Sequence, residues 1–268
     1  MAKCAKCGRR GLFLKLSQYG LCSLCESHRQ YEEQAKKAQE RLRQRQDEFA
    51  AQLAAVPAAP VPVDGAKVPV RSLDGYYELK YTNITARSQR DALGGYVAID
   101  IETSGLKATD AILEVSAVLF SDFVPQSIYT TFVRPSGPIP ASATKINGIT
   151  DDMVASAPYF WQILPGLQSF IGSRPIVGHN LPFDLKFLYR RGFDIQPKQK
   201  LFDTLEISQR TLKKANSECT NSFDVFDHKL KTVCEYYGIY IDNAHRSSAD
   251  AFAAGLLFAH LVEDRTRP

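Results

Sequence analysis

The chain has 268 residues, 44% hydrophobic and 23% charged, enough apolar material for one full globular core with appendages. No apolar run approaches the roughly 18 residues that span a bilayer, which excludes a membrane-spanning helix and points to a soluble protein. The net charge of +4 is uneven: residues 1–55 carry 11 Lys and Arg against 6 Asp and Glu and the rest 22 against 23, so the basic surplus is N-terminal, either a nucleic-acid-facing appendage or a solvated surface.

The N-terminus opens with Cys4-Ala5-Lys6-Cys7 and, after a fourteen-residue spacer, Cys22-Ser23-Leu24-Cys25. Each C-x2-C pair forms a tight knuckle whose thiolates can share one tetrahedral ion, and Gly8 lets the backbone turn. Leu12, Phe13, Leu14 and Leu16 fit a small hairpin turning near Ser17 to Gly20. A disulfide pair or four unrelated thiols are the alternatives, but Lys3 and Lys6 stand where a secretory leader would be apolar, so a reducing, cytoplasmic setting is expected. The pattern resembles a zinc ribbon over residues 1–27, with one structural Zn²⁺ on Cys4, Cys7, Cys22 and Cys25. His28 has no necessary part in that site, and Cys219 and Cys234 read as ordinary thiols.

Residues 28–55 are rich in Glu, Gln, Lys, Arg and Ala without Gly or Pro, the composition of a long polar helix. Tyr31, Ala35, Ala38, Leu42 and Phe49 keep heptad spacing while Arg45 and Gln52 interrupt it, so a weak coiled coil and an isolated helix both fit. Residues 56–71, with Pro57, Pro60, Pro62 and Pro69 among Ala and Val, form an extended linker. Residues 72–95 are a lead-in of less legible structure, with a strand possible over Tyr76 to Tyr81.

From residue 96 to 264 the pattern is that of an α/β domain. Tyr96 to Glu102, Ala111 to Phe120 and Ser127 to Val133 read as three consecutive strands. Helices over Phe160 to Ile171, Phe183 to Arg191, Thr204 to Lys214, Lys229 to Tyr237 and Ser248 to Glu263 then alternate with short strands near Ile176 and Leu201, giving a mixed sheet flanked by helices. Asp100 and Glu102 close the first strand two residues apart, so both project to one face while Ile99 and Ile101 anchor the other. Two adjacent carboxylates repel unless a cation sits between them, and oxygen-rich clusters suit Mg²⁺ or Mn²⁺. Asp184, just inside the helix after Val177-Gly178-His179-Asn180, and Asp250, in the first turn of the last helix, are each either metal ligands or partners of a helix dipole. His245 lies on the loop before that helix, as a base or an exposed loop histidine; His179 borders substrate or fills core, and His228 and His260 carry no signal.

Residues 94–264 resemble the DEDDh family of 3′→5′ exonucleases, through D-I-E-T-S-G-L at Asp100 to Leu106, H-N-x-x-F-D at His179 to Asp184 and H-x4-D at His245 to Asp250. Ile139-Pro140, Asn147-Gly148-Ile149-Thr150-Asp151 and Asp203-Thr204 match secondary signals of that family, though many members carry His where this chain has Asn147, to which no role is transferred. The resemblance implies a ribonuclease H-like fold and a phosphodiester hydrolase releasing nucleoside 5′-monophosphates. It implies two Mg²⁺ or Mn²⁺ ions, roughly 3.5 to 4 Å apart, held by Asp100, Glu102, Asp184 and Asp250, with Asp100 bridging and His245 as general base. Thr103, Gly105, Leu106 and Asn180, inside the same motifs, would touch substrate. Asp203 reads as an N-cap for the helix beginning at Thr204. The expected partner is nucleic acid with a free 3′ end, single-stranded DNA favoured, with a protein partner possible through the N-terminal module. An exoribonuclease, or a non-catalytic nucleic-acid-binding adaptor on the same fold, is the alternative.

Overall fold

A computed structural model describes residues 2–3, 5, 10–11, 15–21, 70–213, 224–239, 241 and 246–266. Cys4, Cys7, Cys22, Cys25, the helix expected over 28–55, most of the linker and His245 lie outside these residues. The chain divides into two compact units, residues 1–59 and 60–268. In the first, Ala2–Lys3 pairs antiparallel with Arg10–Gly11, and the Ser17 to Gly20 turn closes through a Gly20 amide to Ser17 carbonyl bond of 2.9 Å.

The second unit is built on a five-stranded sheet of β1 Tyr96–Thr103, β2 Ile112–Ser121, β3 Val124–Phe132, β4 Ile176–Gly178 and β5 Leu201–Asp203, in the order β3-β2-β1-β4-β5. Pairing of β1 with β2 and of β2 with β3 is antiparallel, while β1 with β4 and β4 with β5 are parallel, so β1 lies at the centre where the sheet changes direction. This is the mixed sheet expected from the run of three strands followed by alternating helices.

Eight α-helices and a 3₁₀ turn at Asp91–Leu93 accompany the sheet among the described residues: α1 Asp74–Tyr77, α2 Ala141–Asn147, α3 Asp151–Val154, α4 Phe160–Ile171, α5 Leu181–Arg190, α6 Thr204–Thr211, α7 Leu230–Tyr236 and α8 Ser247–Thr266. Strand alternation sorts them. Val97, Ile99 and Ile101 pack with Phe160, Ile163 and Leu167 of α4 and Leu181, Leu185 and Leu188 of α5. Tyr96 and Ala98 pack on the opposite face with Ile207 of α6, Val233 of α7 and Ala251, Leu257 and Phe258 of α8.

Three expectations change. Tyr76 to Tyr81 is not a strand: α1 turns there so that the Tyr76 ring is buried and its hydroxyl donates to the Pro182 carbonyl at 2.6 Å. α6 stops at Thr211 rather than Lys214, because the Lys213 amide bonds Asp224 at 2.8 Å and its carbonyl accepts from Asp224 and Val225. Helices α2 and α3, too short to show a periodicity, close over Leu113 through Ile139, Ala143, Ile149 and Val154. Arg71, placed in the linker by composition, donates its amide to the Arg190 carbonyl at 2.9 Å and pairs with Asp194 at 2.7 Å, which ties it to the end of α5.

Helix α8 crosses the sheet at Gly255. The Tyr96 hydroxyl donates to the Gly255 carbonyl at 2.8 Å, and the Tyr96 ring stacks on Phe120 at 4.8 Å. A Cβ at Gly255 would penetrate the Phe120 ring and come within 3.1 Å of the Ala98 Cβ. Alanine gains roughly 1 kcal/mol over glycine inside a helix, whereas forcing atoms into a filled core costs about 1 to 3 kcal/mol or more. Phe120 is fully buried and wedged between Tyr96 and Phe252, so it has no free space to yield. Gly255→Ala is therefore expected to destabilise the domain, by about 1 to 2 kcal/mol net, as a lower urea midpoint at unchanged slope.

Candidate active site

The row that begins with Tyr96 and Ala98 continues along β1 with Asp100 and Glu102, so the strand delivers two carboxylates to the face covered by α8. Asp250 enters from the first turn of α8. One carboxylate oxygen from each of Asp100, Glu102 and Asp250 lies within 4.8 Å of the other two. A register shift between Glu102 and Thr103 ends the regular pairing of β1 with β2 beside the cluster.

Asp184 arrives from α5 and is buried. Odd-numbered residues of β1 turn their amides toward β4, as Val97 does in donating to the Pro175 carbonyl at 2.9 Å. Strand β4 ends at Gly178, before it could pair with Ile101, and Asp184 accepts the Ile101 amide at 3.1 Å instead. Residue 180 makes the turn that aims α5. Asn180 sits in the left-handed region at φ 63°, and both its amide and that of Leu181 donate to Asp203, at 2.8 and 3.4 Å. Asp203 also accepts the Leu205 amide at 3.0 Å, so one carboxylate caps two helices, where the sequence pointed to α6 alone.

Electrostatics mark the cluster as unbalanced. Burial holds the Asp100 carboxyl well above the usual carboxylate range, and the charges of Asp184, Asp250 and Glu102 push the same way. Burial also raises Glu102 to about 8, helped by Asp250 and Glu114 and opposed by a hydrogen bond from Asn147 and the more distant Arg246 charge. Asp184 is raised by burial against the lowering effect of its bond from the Ile101 amide. Among the described residues no ion pair forms on Asp100, Glu102 or Asp184. An all-oxygen, anionic and partly desolvated donor set fits a hard divalent cation, which would relieve the repulsion that otherwise keeps these groups protonated.

The loop after β1 is strapped down. Thr103 donates its hydroxyl to the Gly105 carbonyl at 2.7 Å, and Ser104 accepts the Ala111 amide at 2.9 Å. Arg191 donates to the Ala108 carbonyl at 3.1 Å and to that of Asp110. A Cβ at Gly105 would come within 2.9 Å of the Asp110 carboxyl carbon, so a larger residue there would displace the carboxylate that accepts the Lys107 amide. The loop leaves Leu106 83% exposed, an apolar side chain offered to solvent beside an acidic cluster. Asn180 is exposed as well.

His179 is a core element. Its Nε2 donates to the His228 carbonyl at 2.8 Å, so Nδ1 is the acceptor and takes the Thr204 hydroxyl at 3.0 Å. Burial lowers its pKa to about 4, keeping the ring neutral. Three contributors escaped the sequence reading. Asn147 donates to the Thr103 carbonyl at 3.3 Å and steadies Glu102, Glu114 lies buried in β2, and Arg246 pairs with Glu114 at 2.7 Å. The signal for the last two was present: a lone Glu in the apolar run Ile112 to Phe120 needs a partner.

The exonuclease family profile matches residues 97–258, more than half of the chain. A PolC-type DNA polymerase III of Caldanaerobacter subterraneus subsp. tengcongensis is 30% identical over 183 residues, which are 67% of this chain but 12% of that polymerase. This chain thus spans only a small part of the PolC-type relatives. The DNA polymerase III subunit epsilon of Treponema pallidum is 31% identical over 172 residues, 62% of this chain and 76% of the subunit. Among solved structures, exonuclease X in complex with 5′ overhanging duplex DNA superposes with a TM-score of 0.50 at 21% identity, covering 64% of this chain and 97% of that one. E. coli exonuclease I in complex with a dA16 oligonucleotide gives 0.51 at 20% identity, covering 64% and 41%. These two likenesses support the ribonuclease H-like fold. The profile match, the extent to which the epsilon subunit is covered, and the carboxylates that β1 and α8 bring together lead to one conclusion: the chain belongs to the exonuclease family.

Proposed function

We propose that this chain removes nucleotides from the 3′ end of nucleic acid, favouring single-stranded DNA, by hydrolysing the terminal phosphodiester to a nucleoside 5′-monophosphate. The observation that carries the reading is the gathering of Asp100, Glu102 and Asp250 around a common point beside buried Asp184, within a chain of the exonuclease family. The preference for DNA draws on relatives that are named as DNA polymerase III components. These four carboxylates would hold two divalent cations, Mg²⁺ or Mn²⁺, which supply neutralisation of the phosphoryl oxygens and a lowered pKa for a nearby water. His245, two residues before α8 begins in the sequence, would accept the proton of the attacking water, since an imidazole is a competent base at neutral pH. The water oxygen bonds to phosphorus, the 3′ oxygen departs and takes up a proton, and a new 3′ hydroxyl is left for the next cycle. Exposed Leu106 contacts the terminal base, and Thr103, Gly105 and Asn180 contact the sugar-phosphate beside it.

Residues 1–27 act in this scheme as a separate zinc module on Cys4, Cys7, Cys22 and Cys25, joined through a 28–55 helix and a 56–70 linker to a lead-in that begins at Arg71 and the catalytic domain over 96–264. The four-thiol spacing supports one tetrahedral zinc, and the module's basic surplus suits recruitment of nucleic acid or a protein partner. Purified full-length protein should contain one zinc per chain by elemental analysis. Protein without stoichiometric zinc removes the module.

The chemistry is tested with matched 3′-extended DNA and RNA oligonucleotides, labelled at the 5′ end. Cleavage should require Mg²⁺ or Mn²⁺ and shorten DNA from its 3′ end. Asp100→Ala and Asp250→Ala should abolish it, and His245→Ala should slow it roughly 10²- to 10⁴-fold. Faster shortening of RNA would reassign the substrate, and normal release of nucleotides by Asp100→Ala would refute the site.

The raised carboxyls also predict how stability varies with pH when cations are chelated. Between the ordinary glutamate value of 4.5 and about 8, folded Glu102 holds a proton that the unfolded chain has released. The folded state binds more protons there, so stability must fall as pH rises through that window, by about 1.4 kcal/mol per pH unit for each such proton. Asp100 and Asp184 are raised as well and act in the same sense. Melting in chelator should therefore be higher near the lower end of that window than the upper, Asp100→Asn should flatten the dependence, and excess Mg²⁺ should restore the melting temperature lost at the alkaline end. A melting temperature that climbs with pH in chelator would contradict the charge arrangement.

A further inference from the structure

We propose that Glu114, acting through Arg246, is a positioning residue that sets the Asp250 carboxylate against Asp100 and Glu102. The proposal rests on the exonuclease reading and assigns a part to two residues that lie outside its carboxylate set.

Glu114 stands directly across from Glu102 in the β1–β2 ladder, and Phe132 stands across from Glu114 in the β2–β3 ladder. Cross-strand partners share a face, so Glu102, Glu114 and Phe132 form one row on the side covered by α8. Glu114 is only 3% exposed, in a strand that is otherwise apolar over most of its length. A second acid beside Glu102 adds to the repulsion there, and an apolar side chain would pack better in that position. What Glu114 does instead is hold the start of α8. Its carboxylate accepts Arg246 Nη2 at 2.7 Å, Arg246 Nε at 3.2 Å and the Ser247 amide at 3.1 Å. The guanidinium lies 5.1 Å from the centre of the Phe132 ring, so it is fixed on two members of the row at once.

The link to Asp250 is one residue long. The Arg246 carbonyl accepts the Ala249 amide at 2.9 Å and the Asp250 amide at 3.1 Å, closing the first turn of α8. The Ser247 hydroxyl bonds Ser116 of β2 at 2.7 Å, which in turn bonds Thr130 of β3 at 2.8 Å, so the same turn is pinned to the sheet a second time. An arginine at a helix N-terminus opposes the helix dipole, and the Glu114 carboxylate neutralises that charge and caps the buried Ser247 amide. Loss of Glu114 leaves this turn on the Ser116 contact alone and so loosens the distance from Asp250 to the β1 carboxylates.

The test is a Mn²⁺ titration of the full-length chain by calorimetry, with Asp100→Asn as the blank for other sites. Glu114→Gln and Arg246→Met should each weaken Mn²⁺ binding roughly 10- to 100-fold. The double variant should be no weaker than the poorer single one, because both act through one linkage. In the oligonucleotide assay kcat should fall while KM for DNA stays constant, and amides of residues 247–250 should exchange faster with solvent. Arg246→Lys, which keeps the charge but loses the two-pronged contact, should fall between wild type and Arg246→Met, and it serves as the informative variant if Glu114→Gln does not fold. Glu114→Gln or Arg246→Lys with wild-type Mn²⁺ affinity, or with a lowered melting temperature as its sole change, overturns the positioning role. A wild-type chain that binds no Mn²⁺ above the blank overturns the exonuclease reading itself, a result distinct from unchanged affinity in the variants.

Discussion

Mutual repulsion among carboxylates brought out of water is the constraint around which this domain is arranged. Six acids gather near the ends of β1, β2, β4 and β5 and the start of α8, and they differ in what answers their charge. Glu114 has the Arg246 guanidinium, Asp203 has three backbone amides that offset part of the effect of its burial, and Asp184 has the Ile101 amide. Asp100 and Glu102 have no such ion pair among the described residues, and their carboxyls are driven up by burial and by each other. A fold does not retain that imbalance for stability, because paired or apolar side chains in the same volume would serve better. The imbalance is what suits the site to divalent cations.

Topology supplies the convergence. Strand β1 is flanked by an antiparallel neighbour on one edge and a parallel one on the other, and the parallel neighbour ends early. The gap left beyond Gly178 is where Asp184 takes the amide of Ile101, so the second motif joins the first through the backbone of the central strand. The third motif arrives on α8, whose placement is fixed at two heights: at its start by Glu114 and Ser116, and eight residues further by the contact of Gly255 with Tyr96 and Phe120. A rigid helix held at two points has little freedom to slide, and this converts close packing far from the acids into the spacing between Asp250 and β1.

Much of this was legible in the sequence, and the reasons separate what was from what was not. Tyr96 to Glu102 is an apolar run of strand length broken only by Asp100 and Glu102, two apart, so the strand and the shared face of its two acids were both readable from a period of two. The long apolar pattern of α8 was equally plain. Short elements carry no period: α2 and α3 span seven and four residues and take their shape from what they cover rather than from their own propensity. Tyr76 misled because two aromatic residues in a row favour a strand, whereas tertiary burial of one hydroxyl against Pro182 bends the chain. The linker boundary misled in a related way, since composition cannot show that Arg71 reaches back to Asp194.

The site divides along the same line. Asp100, Glu102, Asp184 and Asp250 could be singled out because they stand in short local motifs, and the fold brings Asp100, Glu102 and Asp250 to a common point. Glu114 and its pairing with Arg246 could not be placed from motifs, because that contribution depends on register across strands, which no local window contains. Register is nonetheless what gives them their effect. A slip of one residue between β1 and β2 would carry Glu114 to the face covered by α2 and α3, put Leu113 or Val115 beneath Arg246, and leave the start of α8 with no carboxylate to meet. The apolar pattern of β2 forbids that slip, since it would turn Leu113, Val115 and Ala117 out of their own packing. Core packing therefore fixes the position of Asp250 through a ladder that never touches it, and the charge cluster inherits its geometry from the hydrophobic order of the strand beside it.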